Sequence, residues 1–222
     1  MDRVIRQLKL PSNPQILEAG CGTGGNLKML SRHGQVSAME LETTACEFAN
    51  QRQVTLVKQG SLPNEIPFTA EYDLILILDV IEHLDDDLAA LEALKSRLKP
   101  GGWLLVTVPA YQFLWSQHDE INHHKRRYTL KQLSQVTRQG GYKIKYSTYF
   151  NSFLFPIVAL VRLLQKLLKI ESKASISNDL KLPSKPINQL LATLFASERH
   201  FMGRIRLPFG VSALVVVQKI AE

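Results

Sequence analysis

Between Glu18 and Gly25 the chain reads Glu-Ala-Gly-Cys-Gly-Thr-Gly-Gly, with Gly20, Gly22, Gly24 and Gly25 following an apolar, β-rich run. Glycines at such a turn let the backbone bend tightly and approach a ligand with no Cβ in the way. A helix that starts there adds unpaired N–H groups facing the same cleft. Glu40 closes the next β-rich run, where in a doubly wound sheet its carboxylate reaches the ribose hydroxyls of a ligand on the neighbouring turn. This spacing describes a nucleotide-type pocket with an acid at its ribose end. Gly20-Cys21-Gly22-Thr23-Gly24-Gly25 also satisfies G-x-G-x-x-G, a pattern too weak alone to exclude a dinucleotide.

A second group of reactive side chains lies in residues 110–128, after another apolar run that ends at Pro109. His118 and His124 are the general-base candidates, with Asp119 as the partner that orients one of them. Arg127 suits an anionic acceptor group, and Tyr111, Trp115 and Tyr128 suit the wall around it. The competing reading is that these histidines are surface residues and that Arg126-Arg127-Tyr128-Thr129 docks the loop onto the next helix. His118, Asp119, His123 and His124 are chemically able to ligate a metal. No regular spacing puts them on one face, however, and no metal is expected.

The elements that position these groups alternate short β-rich runs with amphipathic stretches, the pattern of a mostly parallel sheet covered on both faces. Strands are expected at 15–19, 35–40, 54–58, 72–79, 103–108, 142–150 and 211–220. Helices are expected at 24–33, 43–51, 85–98 and 129–139, with Asp85 capping the third and Lys99-Pro100-Gly101-Gly102 stopping it. Residues 72–79 are almost wholly apolar, as a central strand requires. The fold expected is therefore α/β and Rossmann-like, with a seven-stranded, mostly parallel sheet and helices on both faces. It forms a single domain over 1–222, with a core at 12–150, a helical insertion at 151–208 before the last strand, and that strand within 209–222.

Bulk composition excludes little but locates the charge. With 222 residues, 45% hydrophobic and 21% charged, the chain is ordinary globular material. Cys21 and Cys46 form no disulfide framework, the first residues offer no signal-peptide core, and no uncharged apolar run is long enough to span a bilayer. A cytoplasmic protein is expected. The net charge of +7 is concentrated at 151–208, which carries nine basic against three acidic side chains.

Three motifs, in order, resemble those of class I S-adenosylmethionine-dependent methyltransferases. They are Glu18-x-Gly20-x-Gly22-x-Gly24, then Asp79-Val80-Ile81-Glu82-His83-Leu84, then Leu98-Lys99-Pro100-Gly101-Gly102. The resemblance covers about 12–150 and the final strand, and is nearest to the small-molecule and lipid branch, similar to quinone-biosynthesis-type enzymes. It implies S-adenosylmethionine as cofactor, with Glu18, Gly20, Gly22 and Gly24 shaping its methionine pocket. It further implies Glu40 at the ribose, Leu41, Ser61 and Leu62 at the adenine, and Asp79 and Val80 along the cofactor. Ser61 stands where that family often has an acid or a polar residue near the adenine amino group. The 110–128 loop also resembles a conserved block of a methyltransferase subfamily. No Asn/Asp-Pro-Pro-aromatic element follows Asp79 and no Pro-Cys element is present, which lowers nucleic-acid methylation. A nucleic-acid methyltransferase, an NAD-dependent oxidoreductase and a non-catalytic cofactor-binding protein are the rivals.

The insertion reads as two helices, 153–170 and 185–201, joined by a polar linker. Arg162, Lys166, Lys169 and Lys173 recur at helical spacing, opposite a leucine-rich face that includes Phe155, Val158, Leu160, Leu163, Leu164 and Leu167. Two arrangements suit that pattern: a cap packed over the acceptor with its charges in solvent, or residues 153–173 lying on an anionic membrane. A small-molecule or lipid-linked acceptor is expected in either case.

Overall fold

In the computed structural model of the protein, residues 1–168, 189, 193, 197, 198 and 201–220 are described. A seven-stranded sheet runs in the order β3-β2-β1-β4-β5-β7-β6. Its strands are β1 (Gln15–Ala19), β2 (Gln35–Glu40), β3 (Val57–Gln59), β4 (Tyr72–Leu78), β5 (Leu98–Pro109), β6 (Tyr142–Phe150) and β7 (Ser212–Lys219). The first five are parallel, whereas β7 inserts antiparallel between β5 and β6. The order reverses between β1 and β4. Open sheets of this kind bind ligands in the crevice beyond the carboxyl ends of the strands at that reversal.

Alternate residues of β4 feed opposite layers, as a strand covered on both faces must. Ile75 and Ile77 join Leu17, Leu104, Val106 and Val215 beneath α4 (Asp87–Ser96) and α6 (Leu130–Gln139), which add Leu91, Leu94 and Leu133. Leu74 and Leu76 pack on the other face with Ile16, Leu105, Leu214 and Met202. That layer is closed by Val4 and Ile5 of α1 (Asp2–Ile5), a short helix the sequence pattern did not signal.

Several boundaries differ from expectation, each for a local reason. After β1 only Leu27–Leu30 (α2) is regular α-helix, because the glycine turn occupies the preceding residues. Helix α3 (Thr43–Gln51) forms as expected. The third strand is shorter and later than expected, since β3 pairs with β2 only from Ala38 to Glu40. Asp86, not Asp85, caps α4, its carboxylate accepting from the Ala89 N–H at 2.8 Å. Asp85 instead pairs with Lys125. Lys99-Pro100-Gly101-Gly102 is no helix stop, because β5 already begins at Leu98, paired with Tyr72, and accommodates Gly101 at φ +72°. Thr129 caps α6 as expected, with Gln132 completing a capping box.

The expected loop at 110–128 is folded. It contains a 3-10 turn at Gln112–Leu114 and α5 (Gln117–Ile121), whose start is closed by the Ser116 and Asp119 capping box. In the insertion, α7 (Phe155–Leu167) is a helix, shorter than the expected 153–170. The second expected helix, 185–201, falls almost wholly outside the described residues.

Candidate active site

The glycine turn and the ends of β2, β4 and β5 enclose a cavity of about 860 Å³. Its shape begins with backbone conformation. Gly20 sits at φ +77°, and a Cβ there would stand 2.5 Å from a Val80 methyl, so the end of β4 can approach only a glycine. Gly22, at φ +53°, has nothing within 4 Å of a Cβ position because it faces the cavity itself. Its N–H donates to Glu40 Oε2 at 2.7 Å, while the N–H groups of Leu41 and Glu42 donate to Oε1 at 2.8 and 3.1 Å. Three backbone donors thus lock the Glu40 carboxylate at the cavity wall.

Glu18 lines the same cavity and is 1% exposed. Its Oε1 accepts from Asn26 Nδ2 at 2.8 Å, but Oε2 has no partner. Burial raises its carboxyl to about 7 against the Asn26 hydrogen bond, with a further push from Glu40. A half-satisfied buried carboxylate opening on a cavity is suited to receive a cation. Leu41, Ser61, Leu62, Asp79 and Val80 line the cavity as well. The Ser61 hydroxyl is engaged with Glu65 at 3.0 Å. Gly24 does not line it and lies against Leu27 and Ala49. Burial pushes the Cys21 thiol up to about 12, so it stays protonated and serves packing.

On the acceptor side the structure rearranges the expectations. Asp119 is completely buried and accepts from Arg127 Nε (2.7 Å), Arg127 Nη2 (3.0 Å), His124 Nδ1 (2.9 Å) and the Ser116 N–H (2.8 Å). Burial opposes its charge, but the hydrogen bonds from Arg127 and His124 prevail and hold its carboxyl below the usual range. Arg127, expected at an anionic acceptor group, is fully occupied by Asp119 and the Ala110 carbonyl. His118 is exposed and does not line the cavity, and Asp119 orients His124 rather than His118. Arg126 and Tyr128 do dock the loop, but onto the start of α4 and the turn before it, not onto the next helix as the docking reading had it. Arg126 donates to the Leu84 and Asp85 carbonyls, and the buried Tyr128 hydroxyl donates to Asp87 at 2.6 Å, outside the cavity lining.

Tyr111, at φ +57°, stacks on Tyr149 with ring centroids 4.9 Å apart and meets Phe113 and Phe155 at 5.4 and 5.5 Å. Phe209 extends this aromatic group through Phe155. Trp115 is half-buried and lines no part of the cavity. The side chains that do line it here are His83, Thr107, Asn122, His123, Lys125 and Phe150; of these the sequence singles out only His123, as a metal-ligand candidate, and places His83 inside a motif without a role. His83 and Glu82 lay within a motif already in view, but period and spacing do not tell which of its side chains turns inward.

Glu82, in the 3-10 turn Ile81–His83, is completely buried with both carboxylate oxygens unpartnered. Burial, then the neighbouring Asp79, raises its carboxyl to about 8. The His83 ring stands edge-on to His124 at 4.7 Å, and burial, then His124, lowers its pKa.

Residues 1–148 match the model of a methyltransferase domain family. A ubiquinone biosynthesis O-methyltransferase of Xanthomonas campestris pv. campestris is 29% identical over 116 residues, covering 48% of this chain and 47% of the relative. The chain thus spans about half the length of that curated relative. A solved putative methyltransferase from Bacillus halodurans superposes with a TM-score of 0.64 at 15% identity, over 98% of this chain and 97% of the other. Phosphoethanolamine N-methyltransferase 2 of Haemonchus contortus, solved with S-adenosyl-L-methionine, gives 0.61 at 16% identity, over 97% of this chain and 50% of that one. At these identities the structures establish the shared fold.

Proposed function

This chain belongs to the methyltransferase domain family, and from that premise we propose that it transfers a methyl group from S-adenosylmethionine to a small-molecule or lipid-linked acceptor. The observation that carries the reading is the pairing of two acids on one cavity. Glu18 offers an unpartnered oxygen suited to the cofactor's ammonium, and Glu40 is locked where ribose hydroxyls would lie. Gly20 and Gly22 leave the backbone bare between them, and Leu41, Ser61 and Leu62 supply the adenine side. Asp79 and Val80 border the cofactor from the end of β4.

When bound, the cofactor supplies an electrophilic methyl group on a sulfonium, whose transfer is an in-line displacement favoured by close, collinear positioning. The protein's part is to hold the acceptor and exclude water. His83, His123 and Phe150 border the space available to it. The acceptor atom is a hydroxyl, carboxyl or carbon nucleophile.

The lipid-linked acceptor draws support from α7. Ile157, Leu160, Leu163, Leu164 and Leu167 are exposed there, while Phe155, Val158 and Arg162 are half-buried, so most of the leucine-rich face is turned to solvent instead of packing as a cap. An outward apolar face within the basic segment 151–208 suits an anionic lipid surface. Co-flotation with phosphatidylglycerol vesicles, but not with phosphatidylcholine vesicles, is the expected result.

Calorimetric titration tests the cofactor assignment. S-adenosylmethionine should bind the wild-type protein in one-to-one ratio and NAD⁺ should not. The opposite preference would return the glycine turn to the dinucleotide reading.

A further inference from the structure

Among the described residues, Glu82, His83 and His124 form the one cluster able to ligate a metal, and their ligand atoms lie within 4.8 Å of one another. Three independent features make it a built site. Glu82 is completely buried, and neither carboxylate oxygen has a hydrogen-bond partner. A buried carboxylate without partners is costly unless a cation offsets it. His124 gives its Nδ1 to the buried Asp119 at 2.9 Å, which leaves Nε2 as the ligand nitrogen. A carboxylate behind a histidine in this way is the arrangement that orients ligating imidazoles and strengthens their basicity. The backbone then joins the two halves, because the Lys125 N–H donates to the Glu82 carbonyl at 2.8 Å and so ties the loop carrying His124 to the turn carrying Glu82 and His83.

We propose that Glu82, His83 and His124 bind a first-row transition-metal dication beside the cofactor cavity. Two imidazoles and one carboxylate favour such an ion over magnesium or calcium, which prefer all-oxygen shells. Metal bonds near 2.1 Å set ligand atoms roughly 3 Å apart, so side-chain shifts of about an ångström close the site. Three protein ligands leave coordination positions free, and His83 itself lines the cavity, so those positions open toward it. The ligand class that fits them is an organic acceptor bearing a hydroxyl or carboxylate oxygen. That last assignment rests on the methyl-transfer reading, whereas the metal site does not.

The test uses the full chain, stripped with chelator and titrated with Co²⁺, whose visible absorption reports coordination. One equivalent should bind the wild-type protein, with affinity falling about 100-fold or more in Glu82→Gln and in His83→Gln. Long-range ¹H–¹⁵N imidazole spectra of the wild-type protein with Zn²⁺ supply a readout independent of how the variants fold. The His83 and His124 resonances should shift while those of His33 and His118 stay in place. Absence of Co²⁺ binding, unchanged affinity in Glu82→Gln, or Zn²⁺ shifts confined to other histidines would overturn the site. Titrating the metal-free wild-type protein with S-adenosylmethionine keeps the two readings apart, because cofactor binding without metal binding overturns this inference alone.

Discussion

Glu18 and Asp119 are both carboxylates with almost no solvent exposure, one in the cofactor cradle and one in the wall that follows β5. Their surroundings give them opposite characters. Asp119 is surrounded by donors, and its charge is held by Arg127 and His124. Glu18 has one side-chain donor, Asn26, and one oxygen left without a partner. Their carboxyls are accordingly displaced in opposite directions, that of Glu18 up to about 7 and that of Asp119 below its usual range. A satisfied buried charge is a strut, whereas an unsatisfied one facing a cavity is a binding group.

The strut should show the largest effect. Asp119→Ala leaves the Arg127 guanidinium buried without its partner, so the variant should lose about 3–5 kcal/mol of stability by denaturant titration. A loss below about 1 kcal/mol would mean that Asp119 is not structural.

The cradle should respond in affinity. Gly22→Asp puts a second carboxylate beside Glu40 at a residue with φ +53°, which should weaken S-adenosylmethionine binding about 100-fold, or ~2.7 kcal/mol, by calorimetry. Binding within a few-fold of wild type would remove the turn from the site.

Glu18 sharpens the contrast through pH. Its folded pKa of about 7 lies above the ordinary 4.5, so the stability linked to its protonation is complete below pH 4.5 and is lost as pH rises through 7. Binding runs the other way. An ammonium pairs with the ionised form, so cofactor affinity should rise by up to about tenfold per pH unit below 7 and level off above it. At pH 6 binding should release close to one proton, seen as a binding heat that follows the buffer's ionisation enthalpy. Glu18→Gln should abolish that dependence, and a wild-type heat indifferent to buffer would contradict the assignment.

The smallest effect belongs to His118. Exposed and outside the cavity, it should change cofactor affinity and methyl-transfer rate by less than about twofold when replaced by alanine. A tenfold loss of rate would restore it as the base.

The same contrast explains what was legible in the sequence. The turn of the cradle is written in consecutive residues whose backbone needs are local, so Gly20 and Gly22 were legible as a close-approach turn, whereas Glu40 followed from its place at the end of the neighbouring strand and Asp79 from the family resemblance. The sheet was legible for a similar reason, since an apolar run such as β4 must be a central strand covered on both faces. The wall after β5 is set by which side chains meet across the fold. Asp119 and Arg127 are eight residues apart in a stretch of no fixed period, and only packing shows that they satisfy each other instead of an acceptor. Glu82 was hidden for the opposite reason: it stands in a recognisable motif, but its burial and missing partners are tertiary facts. Along α7 the helical period was correct, while the face turned outward was not recoverable from the pattern.

The central claim is tested most directly by incubating the protein with methyl-labelled S-adenosylmethionine and an extract of its source cell, then separating lipid, aqueous small-molecule and nucleic-acid fractions. The expected result is label in the lipid or small-molecule fraction with wild-type protein and none with Gly22→Asp. Label confined to nucleic acid would contradict the acceptor class. No label in any fraction, together with no calorimetric binding of the cofactor, would contradict the methyltransferase account itself.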